Sequence, residues 1–145
     1  MKLSTKGRYG TLLMIDLALN AGQGPVFLKD IAARQKISEK YLWHLIAPLK
    51  HAGLINSIRG AHGGYILARP PADITLKEIV SIVEGPISLV ERKDIHSAHE
   101  RDVKNVTQKI WNEISEKIAG IFAGYTLQDV VDRYKAQSKI PMYSI

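Results

Sequence analysis

Arg59 opens the run RGAHGG, in which Gly60, Gly63 and Gly64 surround Ala61 and His62, between apolar-rich stretches at 54–58 and 65–68. An arginine on a glycine-rich turn suits an anionic surface. Glycine lets the backbone approach a ligand closely, and a guanidinium keeps its charge at any physiological pH. Upstream, Ser38, Lys40, Tyr41, Trp43 and His44 bring hydroxyl, ammonium, aromatic and imidazole groups together within seven residues. Such groups hydrogen-bond to phosphates and to base edges, or pack against them. Lys2, Lys6 and Arg8 add basic charge at the start of the chain. Phosphate contacts from such residues add affinity and salt dependence without sequence information. No G-x-S-x-G, P-loop, H-E-x-x-H or supported pair of carboxylates occurs, so an enzyme is not expected.

The segments around these residues are the ones that would present them to a groove. Ser38 is an N-cap candidate, and after it Tyr41, Leu42, Leu45, Ile46 and Leu49 recur at steps of three and four, the period of a helix with one buried face. The preceding IAARQ is a shorter helix, Lys36 and Ile37 are the turn between the two, and Gly53 ends the second. Pro48 falls inside the second helix, past the residues that could enter a groove, and is expected to kink it there. The glycine-rich run with its two flanking stretches reads as a hairpin. Helix, turn, helix and hairpin in that order make a winged helix, whose usual ligand is duplex DNA. On this reading Arg59 enters the minor groove from the wing, where narrow A·T-rich DNA concentrates negative potential. Gly60, His62 and Gly63 form the tip beside the backbone. The plainer alternative leaves Arg59 a surface charge on an ordinary turn. Tyr41 is partly core, and Trp43 is either a groove contact or a packed aromatic.

Composition bounds the rest. The chain has 145 residues, 46% of them apolar and 23% charged, the balance of an ordinary globular protein. No run approaches the ~20 apolar residues of a membrane span, and no signal-peptide pattern opens the chain, so no membrane partner and a cytoplasmic location are expected. The absence of cysteine excludes disulfides and thiolate-held zinc or iron–sulfur clusters. Residues 1–70 hold 10 Lys and Arg against 3 Asp and Glu, while residues 71–145 hold 10 against 11. Positive charge therefore sits on the half that carries the helix-turn-helix, where a polyanion would dock.

Ser4 or Thr5 can cap a first helix, in which only Asp16 is polar between residues 12 and 19. Such a helix needs cover on several sides, from a partner subunit or from a helix at the far end of the chain. Residues 20–25 are a loop. Thr75 and Glu78 have capping-box spacing ahead of a helix over 76–83, which Gly85 and Pro86 stop. Then Val103, Val106, Ile110, Ile114, Ile118, Ile121 and Phe122 form one stripe on a helix of about twenty residues. No unclaimed stripe remains to cover it, so the helix is expected to cross its own copy in a homodimer, the alternative being packing on its own domain alone. Thr126 and Asp129 cap a last helix to about Ala136. The expected fold is mainly α with a small β-hairpin: a winged helix-turn-helix plus a long C-terminal dimerisation helix. Its parts are a DNA-binding domain at 1–84, a loop at 85–100, the dimerisation and final helices at 101–136, and an exposed tail at 137–145.

MKLSTKGRYG at the start, SIRGAHGGYIL at the wing and the long helix in its place resemble the winged-helix repressor family that includes IscR, NsrR and CymR. The resemblance covers nearly the whole chain. It implies a homodimer that sets two recognition helices in successive major grooves of a pseudo-palindromic duplex operator, about 34 Å apart. Iron–sulfur members carry three cysteines before the dimerisation helix. Here those places are filled by Arg92, His99 and Asn105, none of them a thiolate, so no cluster and no other cofactor is expected. His96 and His99 could pair on a metal but read as solvated loop residues, and no metal site is assigned. At position 43, where base-reading members often carry Glu, this chain has Trp43, which cannot accept from a cytosine amino group. EGPISLVE and APLKHAGLINSIRGAHGGY are very similar to the cysteine-metabolism branch of the family. That likeness implies a repressor of cysteine and sulfur genes controlled by a complex with O-acetylserine thiol-lyase. Known partners of that enzyme insert a C-terminal isoleucine carboxylate into its active site, and Tyr143, Ser144 and Ile145 offer such an end. Two alternatives stay open. One is a repressor of the same fold that senses a small molecule or metal through 86–105, and the other an interaction adaptor that no longer binds DNA.

Overall fold

Leu13, Met14, Ile31, Leu42, Leu49, Leu54, Ile55, Ile74, Ile79 and Leu127 are all but fully buried, and they come from nearly every segment with helical or strand periodicity. The computed structural model describes residues 2–91 and 102–139. Among them, the order is α1 (Thr5–Leu19), α2 (Leu28–Gln35), α3 (Glu39–His51), β1 (Ile55–Ile58), β2 (Gly64–Leu67), a single 3-10 turn (Pro71–Asp73), α4 (Leu76–Glu84), α5 (Val103–Ala123) and α6 (Leu127–Ser138). This is the mainly helical winged helix with a long late helix that the sequence pattern describes. The two strands pair antiparallel, with Ile55 opposite Leu67 and Ile58 opposite Gly64.

Several bounds differ from expectation. α2 starts at Leu28, three residues before IAARQ. Leu54 and Ala68 lie outside the strands, although the Ala68 amide donates to the Leu54 carbonyl at 2.9 Å and prolongs the pairing. α3, by contrast, has the expected extent, capped by Ser38 and Ala52 with Pro48 inside it. α6 reaches Ser138, so Gln137 and Ser138, expected in the tail, are helical.

The cover of α1 comes from within the chain, since α4 and α6 both pack on it. Leu127 and Val131 of α6 join the same core as Leu13 and Leu17. α1 also carries a buried carboxylate. Asp16 is 2% exposed and accepts from Arg34 Nε at 3.0 Å, Arg34 Nη2 at 2.8 Å and Gln35 Nε2 at 2.9 Å. A buried charge is tolerated when it is paired and hydrogen-bonded. Here the pairing also fixes the end of α2 against α1. Hydrogen bonding to Asp16 in turn raises the pKa of Arg34 above its ordinary value.

A capping box opens each of α4 and α6. Thr75 and Glu78 cap α4, and Thr126 and Asp129 cap α6, each pair bonding reciprocally. Their N-termini are stitched by Leu76 N–H to Tyr125 O and Leu127 N–H to Ile74 O, both 2.9 Å. The last helix is thus part of the winged-helix core. Glu84, at the end of α4, reaches the start of α1. Its Oε1 accepts from Ser4 N–H at 2.8 Å, Ser4 Oγ at 2.5 Å and Gly7 N–H at 3.1 Å.

Candidate nucleic-acid interface

Four apolar side chains place α3. Leu42, Leu45, Ile46 and Leu49 face the core, so at 100° per residue the opposite arc carries Lys40, Trp43, His44, Ala47 and His51, all exposed. Ser38 accepts from Tyr41 N–H at 3.1 Å and caps the helix. The turn before it depends on Lys36, whose φ of 55° is left-handed, a conformation that non-glycine residues seldom adopt. Beside it, Ile37 drops into the core. Tyr41 is half-buried, with the ring of Tyr9 edge-on to it at 5.4 Å. Trp43 is 60% exposed, so it is not the packed aromatic of the alternative reading.

The amino-terminal lysines, the wing and α3 are linked physically. Lys2, Lys6 and Arg8 are exposed. Lys6 lines a hollow of about 410 Å³ together with Tyr41, His44, Leu45, Pro48 and Val83, which sets the first helix beside the recognition arc. On the other side Lys50 Nζ donates to Ser57 Oγ at 2.8 Å and ties the end of α3 to β1. Arg59, Gly60 and His62 are exposed at the tip. A β-carbon on Gly63 would lie 2.2 Å from the Ile58 carbonyl oxygen, so the tip closes only around a glycine. The base of the wing is held by Val26, whose N–H and C=O exchange hydrogen bonds with Tyr65 at 2.9 and 2.8 Å. Ala47 and His51 were absent from the sequence-derived set, yet the heptad step from Lys40 to Ala47 and the four-residue step from Trp43 already placed Ala47 on this arc.

The stripe on α5 is open. Val103, Val106, Ile110, Ile114 and Ile121 are exposed, Ile118 is half-buried, and Trp111, at 42% exposure, extends the apolar surface. Along the edge of the stripe below Trp111, Ser115 is buried; it accepts from Leu89 N–H at 2.9 Å and donates to Trp111 O at 2.7 Å. Arg92, His96, His99, Tyr143, Ser144 and Ile145 lie outside the described residues. Asn105 sits in the first turn of α5 and is half-buried.

A protein family described as "Rrf2: Iron-dependent Transcriptional regulator" matches residues 3–133. The chain belongs to the Rrf2 family. Among Rrf2 relatives, the HTH-type transcriptional regulator CymR of Bacillus subtilis (strain 168) is 40% identical over 145 residues, the whole of both chains. The solved structure of CymR, the global cysteine regulator of B. subtilis, superposes with a TM-score of 0.77 at 41% identity, covering 92% of this chain and 98% of that one. T. potens IscR superposes at 0.80 with 39% identity, covering 99% and 95%. This Rrf2 protein is a transcriptional regulator of the winged-helix type, as its relatives are named, and not an enzyme. The iron of the family description finds no thiolate here, because none of the 145 residues is cysteine. Among the described residues no three His, Asp or Glu side chains gather where they could hold a metal ion. A thiolate-held cluster does not fit this chain. No helix among the described residues is long and apolar enough to cross a membrane.

Proposed function

We propose that this Rrf2 protein is a cytoplasmic, sequence-specific repressor of cysteine and sulfur metabolism genes. It acts as a homodimer on a pseudo-palindromic duplex, works without a cofactor, and is controlled by complex formation with O-acetylserine thiol-lyase. One observation carries the DNA reading: an exposed recognition arc on α3 lies between basic amino-terminal residues and a glycine-tipped wing bearing Arg59. Lys40, Trp43 and His44 read base edges from this arc, Ser38 and Tyr41 bond at its start, Arg59 enters the minor groove, and Gly60 and His62 approach the backbone. Gly63, expected at the tip beside them, is buried and shapes the turn instead. Lys2, Lys6 and Arg8 contact phosphates. The open apolar stripe on α5 supports the homodimer, since such a stripe is buried when two copies cross. The cysteine reading is supported by 40% identity to CymR along the full length. The thiol-lyase contact through Tyr143, Ser144 and Ile145 rests on the family likeness.

The test is recovery of bound duplex from a random library, with and without O-acetylserine thiol-lyase. Enrichment of one pseudo-palindrome, at higher affinity when the enzyme is present, is expected. Equal retention of every duplex at physiological salt overturns the repressor reading. Deleting Ile145 is expected to abolish the enzyme complex in calorimetry, and unchanged binding removes the tail contact while leaving operator binding intact.

A further inference from the structure

Trp43 and Ala47 lie four residues apart on the arc of α3 turned from the core, so their side chains sit one above the other. Among the described residues of the DNA-binding half, Trp43 is the most exposed large apolar side chain, at 60%. An indole has one donor, Nε1–H, and no acceptor. It cannot take up the amino protons that cytosine N4 or adenine N6 presents in the major groove. What it offers is a flat apolar face, and Ala47 adds a methyl beside it. The one apolar group on a major-groove base edge is the C5-methyl of thymine. Lys40 and His44 flank the pair on the same arc, and they are left to supply hydrogen bonds to neighbouring bases or phosphates.

We propose that Trp43, backed by Ala47, selects thymine at one or two positions of each operator half-site by covering its C5-methyl group. This rests on the operator-binding reading above and adds to it the base that the recognition helix prefers.

The duplex that the full-length protein enriches from a random library is resynthesised with deoxyuridine in place of thymidine, one position at a time. This deletes a methyl group and leaves base pairing and the hydrogen-bonding edge unchanged. The protein is expected to lose about fourfold in affinity, the worth of burying one carbon, at one or two thymidines per half-site and at no others. Trp43→Ala is expected to bind the thymine and uracil duplexes alike. Trp43→Phe, which keeps an apolar ring without the N–H, is expected to retain the preference. Thermal melting of both variants is expected to match the parent, because the side chain is exposed. Uracil tolerated at every position, by a protein that still prefers its selected duplex to a scrambled one, overturns the thymine proposal and leaves operator binding standing. Loss of the preference in Trp43→Phe also overturns it, since the indole N–H would then be the reading group. Failure to enrich any duplex overturns the operator reading itself, and this proposal with it.

Discussion

Arg59 concentrates the wing's chemistry in one side chain, held out by a turn that only glycine closes. Arg59→Ala is expected to weaken operator binding by about 1–3 kcal/mol and to relax preference for A·T pairs beneath the wing, as read by gel-shift titration against A·T- and G·C-substituted duplexes. Deep in α1, Asp16 and Arg34 form a pair of unequal partners. The Arg34 side chain is 46% exposed and can turn to water if its partner is lost, whereas Asp16 at 2% cannot. Arg34→Ala is therefore expected to lower stability more than Asp16→Ala, by roughly 3 against 1–2 kcal/mol in urea unfolding. Equal costs would mean that the carboxylate relaxes toward solvent. That pairing was not legible from the sequence. Asp16 stood out as the lone polar residue in an apolar run, but its partner lies eighteen residues away on another helix.

At the scale of elements, short-range patterns carry the caps and the helical stripes. The Ser38 cap and both capping boxes follow from three-residue spacings, and the α3 and α5 stripes from periodicity. What joins the elements depends on residues far apart in sequence: Glu84 on the start of α1, Val26 on the wing, and the stitched N-termini of α4 and α6. No local pattern encodes those pairs. The α6 box also titrates. The Thr126 backbone N–H, and then its hydroxyl, hold the Asp129 carboxyl below its ordinary pKa. A carboxylate depressed in the folded state contributes stability that is fully present above the unfolded value of about 3.9 and fades as pH falls below it. Asp129→Asn is accordingly expected to narrow the stability difference between pH 6 and pH 3, measured by thermal melting. An unchanged difference would show that the box carries no charge-dependent share.

For the whole molecule, the proposed homodimer rests on the apolar stripe of α5. Ile110→Glu with Ile114→Glu places two charges where a second copy would sit, and is expected to give a monomer in sedimentation and a steep loss of operator affinity. The melting of the DNA-binding half should persist, because neither side chain belongs to its core. A mass that stays double would move the seam elsewhere. The recognition arc, the wing and the dimer stripe were all legible as candidates. Whether Trp43 was packed or exposed was not, because an aromatic beside the stripe of Leu42, Leu45, Ile46 and Leu49 can still be covered by a neighbouring element, and only the fold leaves it open.

The stitching of α6 to α4 fastens the C-terminal end of the long helix to the DNA-binding half, where Val80 and Glu84 of α4 share a hollow with Phe122. α4 packs on the long helix, and α6, which follows it directly, returns into the same core. Two such protomers joined along that helix would behave as callipers with a fixed gap, unlike heads on flexible tethers. A single base pair inserted between the half-sites turns one reading helix by roughly 34–36° relative to the other. Rigid callipers cannot follow that turn, so the spacer length of the operator should be as strictly selected as its letters.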